Sequence, residues 1–205
     1  FTRKAADEMQ LRLRTILGDR HPLPLTATFH SLCYKILNAL NSKETFGIID
    51  EDDRKKLIDE AAKTVRGFGI EVSLKPQQLC NQIAAAKQQI RGPEDIVPTQ
   101  HLSVDDRALA EVYHRYQNLL SIQGLYDYED LIFKVVQLLE TDSSVCKKYR
   151  LQFQHIFVDE YQDSNPIQVE LLKALTQTGK SQICVIGDQD QAIYGFRGSD
   201  VGNFH

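Results

Sequence analysis

The sequence predicts an α/β chain in which a partial domain of parallel strands is interrupted by a large all-helical insertion. Three observations carry that expectation. Helical periodicity with well-marked helix ends dominates the first 150 or so residues. Two short, β-branched apolar runs follow, His155-Ile156-Phe157-Val158 and Gln182-Ile183-Cys184-Val185-Ile186, with a helical pattern between them. That order, strand–helix–strand, is the one parallel strands require. Finally, carboxylates stand at the C-terminal ends of the runs, where a parallel sheet presents groups to a ligand, as in an α/β nucleotide fold.

Taken in order, the elements are these. Thr2 can cap a first helix whose Met9, Leu13, Ile16 and Leu17 recur at helical spacing, and Gly18 suits its stop. Pro22 and Pro24 force extended chain, Thr26-Ala27-Thr28 reads as a short strand end, and Thr28 caps a helix from Phe29 to about Leu40. Helices follow over about 50–66, 76–90 and 103–121, with Ser103 and Asp106 as a relative of the capping box and Gly124 as a stop. Asp127 caps another helix to Leu139, and none of this middle stretch alternates like strand. Asn165-Pro166 opens a last helix with Ile167, Leu171, Leu172 and Leu175 on one face. The expected division is 1–28 with 153–205 for the α/β part and 29–152 for the helical insertion.

Composition excludes several classes. With 205 residues, 42% hydrophobic, 25% charged and only 6 prolines, the chain can bury a sizeable core, so a disordered chain is excluded. No apolar run approaches the ~20 residues of a membrane span. The four cysteines are far apart with no CxxC pair, which speaks against zinc and for reduced thiols in a cytoplasmic protein. A net charge of −4 excludes a globally basic nucleic-acid coat but leaves room for a local groove. The acidic run Asp50-Glu51-Asp52-Asp53 reads as a solvated helix start. The chain begins without methionine beside a helical pattern, and the reading expects a piece of a longer protein.

The chemistry concentrates in two segments. In Ile156-Phe157-Val158-Asp159-Glu160-Tyr161-Gln162-Asp163 an apolar strand ends in Asp-Glu, the form of a Walker B site. Asp159 would emerge where a phosphate-bound Mg²⁺ lies, and Glu160 would orient and deprotonate an attacking water. An Asp-Glu pair alone could equally end a strand and cap a turn; the following Tyr-Gln-Asp-Ser-Asn-Pro makes the motif far more specific. The second segment is Gly187-Asp188-Gln189-Asp190-Gln191-Ala192-Ile193-Tyr194-Gly195-Phe196-Arg197-Gly198. There Gln191 can donate to one oxygen and accept from another, which suits a sensor of γ-phosphate or attacking water. Tyr194, Phe196 and Arg197 alternate flat faces with a cation, a combination that stacks single-stranded bases and holds phosphate.

The segments FTRKAADEM, TFHSLC, YDYEDL, VDEYQDSNPIQ and GDQDQAIYGFRG resemble, in order, the successive motifs of the UvrD/Rep/PcrA-type superfamily 1 DNA helicases. The resemblance spans nearly the whole chain. It implies a partial RecA-like P-loop NTPase domain interrupted by a helical domain, and ATP-driven translocation on single-stranded DNA, usually 3′ to 5′, with unwinding of duplex at single/double-strand junctions. It implies ATP and Mg²⁺ as cofactors, with Asp159 as the metal ligand, Glu160 as the catalytic base and Gln191 coupling the γ-phosphate to DNA contacts. It further implies DNA contacts at Phe1, at Thr28 and His30 of the TFH segment, at Tyr128, and at Tyr194, Phe196 and Arg197. Departures are modest: Phe196 stands where many members have tryptophan, Ala192 and Ser164 replace a common serine and threonine, and Arg3 sits where asparagine is frequent. No GxxxxGK[ST] loop occurs in the chain, so the piece alone is expected to show negligible ATPase activity. Two other readings stand beside the helicase motor. One is the motor part of a RecB/AddA-type helicase–nuclease subunit, and the other is a non-catalytic DNA-binding or docking module.

Overall fold

The computed structural model describes residues 3–40, 45–96, 104–177 and 181–188. Phe1, Gln191, Tyr194, Phe196 and Arg197, and the expected caps Thr2 and Ser103, lie outside the described residues.

Helix α1 (Arg3–Leu17) ends at Gly18, whose φ of 69° supplies the left-handed stop. Its apolar stripe is only partly covered: Ala6 is buried, whereas Ile16 and Leu17 are exposed. Residues 19–28 form no strand, contrary to the expectation for Thr26–Thr28. Pro22 and Pro24 bring no N–H to a ladder, and Thr28 serves as a cap instead. Its Oγ1 accepts from the Ser31 amide at 3.2 Å and starts α2 (Phe29–Leu40). β1 (Gly47–Ile48) leads to α3 (Glu51–Gly67), capped by Asp50, whose Oδ1 accepts from the Asp53 amide at 2.8 Å. The acidic first turn beside that cap favours the helix dipole.

α4 (Pro76–Gln88) stops earlier than its periodicity suggests. Ile90 takes φ 60°, the Arg91 amide donates to the Ala86 carbonyl at 2.9 Å and the Ile90 amide to that of Lys87 at 3.0 Å. This is a Schellman-type stop built on a β-branched residue instead of the usual glycine. Ile90 tolerates it because its side chain packs against neighbouring core residues. α5 (Val104–Ile122) and β2 (Leu125–Tyr126) come next. β1 and β2 pair in parallel, Gly47 with Leu125 and Ile48 with Tyr126. Two-residue strands are too short for alternation to register in the sequence.

α6 (Tyr128–Thr141) carries a full capping box between Asp127 and Asp130. α7 (Ser143–Gln152), capped by Asp142, was not foreseen, because only Cys146 and Tyr149 of its residues are buried. β3 (His155–Val158) and β4 (Gln182–Val185) form the expected parallel pair, in register from His155–Gln182 to Val158–Val185. α8 (Pro166–Thr176) connects them, opened by Asn165 and Pro166 as anticipated. Apolar runs of this kind suit buried strands, yet Phe157, Ile183 and Val185 are exposed. The apolar cover that the described residues supply comes chiefly from α8, through Leu172 and Val169 against Val158 and Ile156.

Two cores result. One joins α3, α4 and α5 through Ile58, Leu79, Ile83, Val112 and Tyr116. The other joins α2, α6, α7 and α8 through Ile36, Leu131, Val135, Leu171 and Leu175, with Ile156 of β3 against it. Helices α2, α6 and α7, which the sequence reading grouped with the insertion, thus pack with the strand-connecting helix α8. Among the described residues no helix is long and apolar enough to cross a membrane.

Candidate functional site

The parallel pairing of β3 continues one step past Val158, as the Ile186 amide donates to the Val158 carbonyl at 2.8 Å and the Tyr161 amide to Ile186 at 2.9 Å. Between these bonds the chain turns sharply and leaves Asp159 and Glu160 exposed at the C-terminal end of the strand. Glu160 makes the turn with φ 54° and ψ 42°, a left-handed conformation costing a non-glycine residue roughly 1 kcal/mol. Its amide donates to Asp159 Oδ1 at 3.0 Å, and its Oε2 accepts from Gln162 Nε2 at 2.6 Å.

Gln162 had no assigned role from sequence, though it lies inside the DEYQD segment. It is 2% exposed, and its Oε1 accepts from the Asp188 amide at 3.1 Å. A backbone N–H can only donate, so the amide orientation is fixed and Nε2 must face Glu160. One buried side chain therefore ties the Glu160 carboxylate to the chain leaving β4, toward the GDQDQAIYGFRG segment. The signal was a neutral amide inside an otherwise acidic turn, which needs two partners to be buried.

Asp159 offers a hard oxygen donor of the type Mg²⁺ prefers. Oδ1 accepts from the Glu160 amide, and Oδ2 makes no hydrogen bond among the described residues. Those residues contain no cluster of three or more His, Cys, Asp or Glu able to hold a metal. A single exposed carboxylate suits a cation such as Mg²⁺ that keeps several of its waters.

The second group is aromatic. Thr28 sets the first turn of α2 and Asp127 that of α6, and the packing of these helices brings His30 and Tyr128 together. Their rings stack at 3.8 Å between centroids and 16° between planes, with Tyr128 half exposed. A cleft of about 130 Å³ beside them is also lined by Asn165, the N-cap of α8. Asn165 follows the turn Tyr161–Asp163, so a short, ordered segment connects the carboxylates to the aromatic pair.

Burial lowers the His30 pKa from 6.5 to about 4, so at neutral pH the ring presents a face and no charge. A lowered histidine pKa means the unfolded chain takes up its proton first on acidification. The contribution of His30 to stability is complete above pH 6.5 and is lost between there and about pH 4. Going from pH 7 to 5 should cost about 2 kcal/mol through this residue. Denaturant midpoints at the two pH values should converge in His30→Phe. An unchanged pH slope in that variant would show a solvated, ordinary histidine.

The sequence model of the UvrD/REP helicase N-terminal domain matches residues 1–205. The chain belongs to this family. In line with membership in the UvrD/REP family, the chain is 35% identical over 207 residues to the ATP-dependent DNA helicase PcrA of Staphylococcus aureus. The PcrA of Staphylococcus epidermidis gives the same identity, and each alignment covers 99% of this chain and 28% of the relative. The chain thus spans under a third of the length of the curated relatives it matches. Of the residues singled out in this UvrD/REP domain, the fold brings Asp159 with Glu160 and, separately, His30 with Tyr128.

Proposed function

We propose that this chain is the part of an ATP-dependent DNA helicase that holds the metal and water side of the nucleotide site and one face of the single-stranded DNA path. The observation that carries this reading is the Asp159–Glu160 turn at the C-terminal end of β3, where Glu160 has a left-handed backbone and its carboxylate accepts from the buried Gln162. Asp159 would hold the Mg²⁺ of a bound Mg²⁺–ATP, which would supply the phosphoryl group and offset its developing charge. Glu160 positions an attacking water and accepts its proton. Gln162 keeps the Glu160 carboxylate turned toward its task, at the strand end where parallel sheets bind nucleotides.

The whole protein translocates on single-stranded DNA, 3′ to 5′ by family analogy, and supplies from elsewhere the phosphate-cradling loop that this sequence lacks. Gln191 couples hydrolysis to Tyr194, Phe196 and Arg197, and Phe1 and the His30–Tyr128 pair add DNA contacts. On this reading the α3–α4–α5 block, between β1 and β2, is the inserted helical part.

In the whole protein, Asp159→Ala should weaken binding of a Mg²⁺–nucleotide analogue by about tenfold or more, while metal-free nucleotide affinity stays near wild type. Fluorescent-nucleotide titrations with Mg²⁺ and with EDTA measure both. Equal affinities with and without Mg²⁺ in wild type and variant would remove Asp159 from the metal site.

A further inference from the structure

The two cores meet at the first turn of α6, and they meet through buried charge. Lys87, on α4 of the first core, is fully buried. Its Nζ lies 2.6 Å from Asp127 Oδ2 and 2.8 Å from Asp130 Oδ1, the cap and third residue of α6. From α5, Tyr116 donates its hydroxyl to Asp127 Oδ2 at 2.8 Å and Gln117 Nε2 donates to Asp130 Oδ1 at 3.3 Å. From α3, Arg54 reaches Glu129 Oε2 at 2.9 Å. Three carboxylates of the turn are thus gripped by the α3–α4–α5 block. The residue between them, Tyr128, carries the stack on His30.

Such a network is costly to bury, and well-packed apolar residues of similar volume would stabilise the contact as well or better. What ions add is geometry: a cation between two carboxylates fixes the rotation and rise of a helix start in a way apolar contact does not. We infer that Lys87 is a positioning residue for single-stranded DNA, locking the helical block onto α6 so that the Tyr128 ring is presented to a base. This rests on the reading of Tyr128 as a stacking residue. Lys87 itself, wholly covered, touches no nucleic acid.

A double-mutant cycle in the whole protein tests it, using equilibrium binding to a labelled oligothymidine and thermal unfolding of the same samples. Tyr128→Ala should weaken DNA binding about tenfold. Lys87→Met should weaken it to a similar degree, and the double variant should bind no more weakly than Tyr128→Ala alone. Tyr116→Phe, which removes one hydroxyl and keeps the ring, should give a smaller loss that also vanishes in the Tyr128→Ala background. It carries the test if Lys87→Met does not fold. Lowered melting temperature with wild-type DNA affinity in both Lys87→Met and Tyr116→Phe would leave Lys87 a stability element only and overturn the inference. Losses that multiply with that of Tyr128→Ala would overturn it too, since Lys87 would then act elsewhere. If Tyr128→Ala itself leaves affinity unchanged, the stacking reading fails first and independently.

Discussion

Glu160→Gln in the whole protein is expected to cut DNA-stimulated ATP turnover by about 10³-fold while nucleotide affinity stays within about twofold, since general-base contributions run to ~10²–10⁴-fold. The substitution is close to a pure test of proton acceptance. The amide oxygen of the variant can still accept from Gln162 Nε2, the hydrogen bond that now holds Oε2 at 2.6 Å. The left-handed backbone is no harder for Gln than for Glu, so the turn should survive. Rapid-quench measurement of a single turnover beside nucleotide titration separates chemistry from binding. Turnover within tenfold of wild type would mean that another group takes the proton.

Asp127→Ala should be the most destabilising single change at the junction of the two cores, by roughly 3–5 kcal/mol for a buried charge left without its partner. Three losses coincide. Lys87 Nζ loses its nearer carboxylate, the Tyr116 hydroxyl loses its acceptor, and the Asp130 amide loses its cap. A helix cap alone is worth about 1 kcal/mol. Burial opposes ionisation of Asp127, but the charge and hydrogen bond of Lys87, with the Asp130 amide and Tyr116 hydroxyl, outweigh it and hold the carboxyl below its usual value. The contribution is therefore present above pH 3.8 and lost as the pH falls through that lowered value. Asp130 is pushed the other way, chiefly by burial and with help from the neighbouring Asp127 charge, against the lowering effect of Lys87. Denaturant unfolding at pH 7 checks the loss, and a shift under 1 kcal/mol would contradict a closed network.

β3 and β4, α8 and the caps at Thr28, Asp127 and Asn165 were legible because each is a local signal. A β-branched run, a proline at a first turn, or a short polar side chain before an apolar stripe acts within a few residues. Asp159 and Glu160 were legible for the same reason, since strand polarity alone decides where they emerge. Non-local features were not. Lys87 falls four residues after Ile83 and eight after Leu79, both buried, so it occupies a core position of α4. Only its partners, 40 and 43 positions later, explain a charge there. The grouping of α2, α6 and α7 with α8 likewise depends on which apolar faces meet, and periodicity reveals a face without naming what it faces. Tyr128 and His30 were both singled out, but their mutual stacking required the packing of two helices distant in sequence.

The pairing of Gly47 with Leu125 has a consequence for how this chain could be cut and rejoined. Strands in a sheet run about 4.8 Å apart, so the path into the α3–α4–α5 block and the path out of it pass side by side. From the start of β1 to the end of β2 is only about 6 Å, a gap that one or two residues of linker can bridge. The block is therefore a module that a short splice could excise, or exchange for another helical unit, without stretching the remaining chain. Such a graft would have to bring its own buried cation, or neutralise Asp127 and Asp130, because those two carboxylates would otherwise be left facing a partner that had gone.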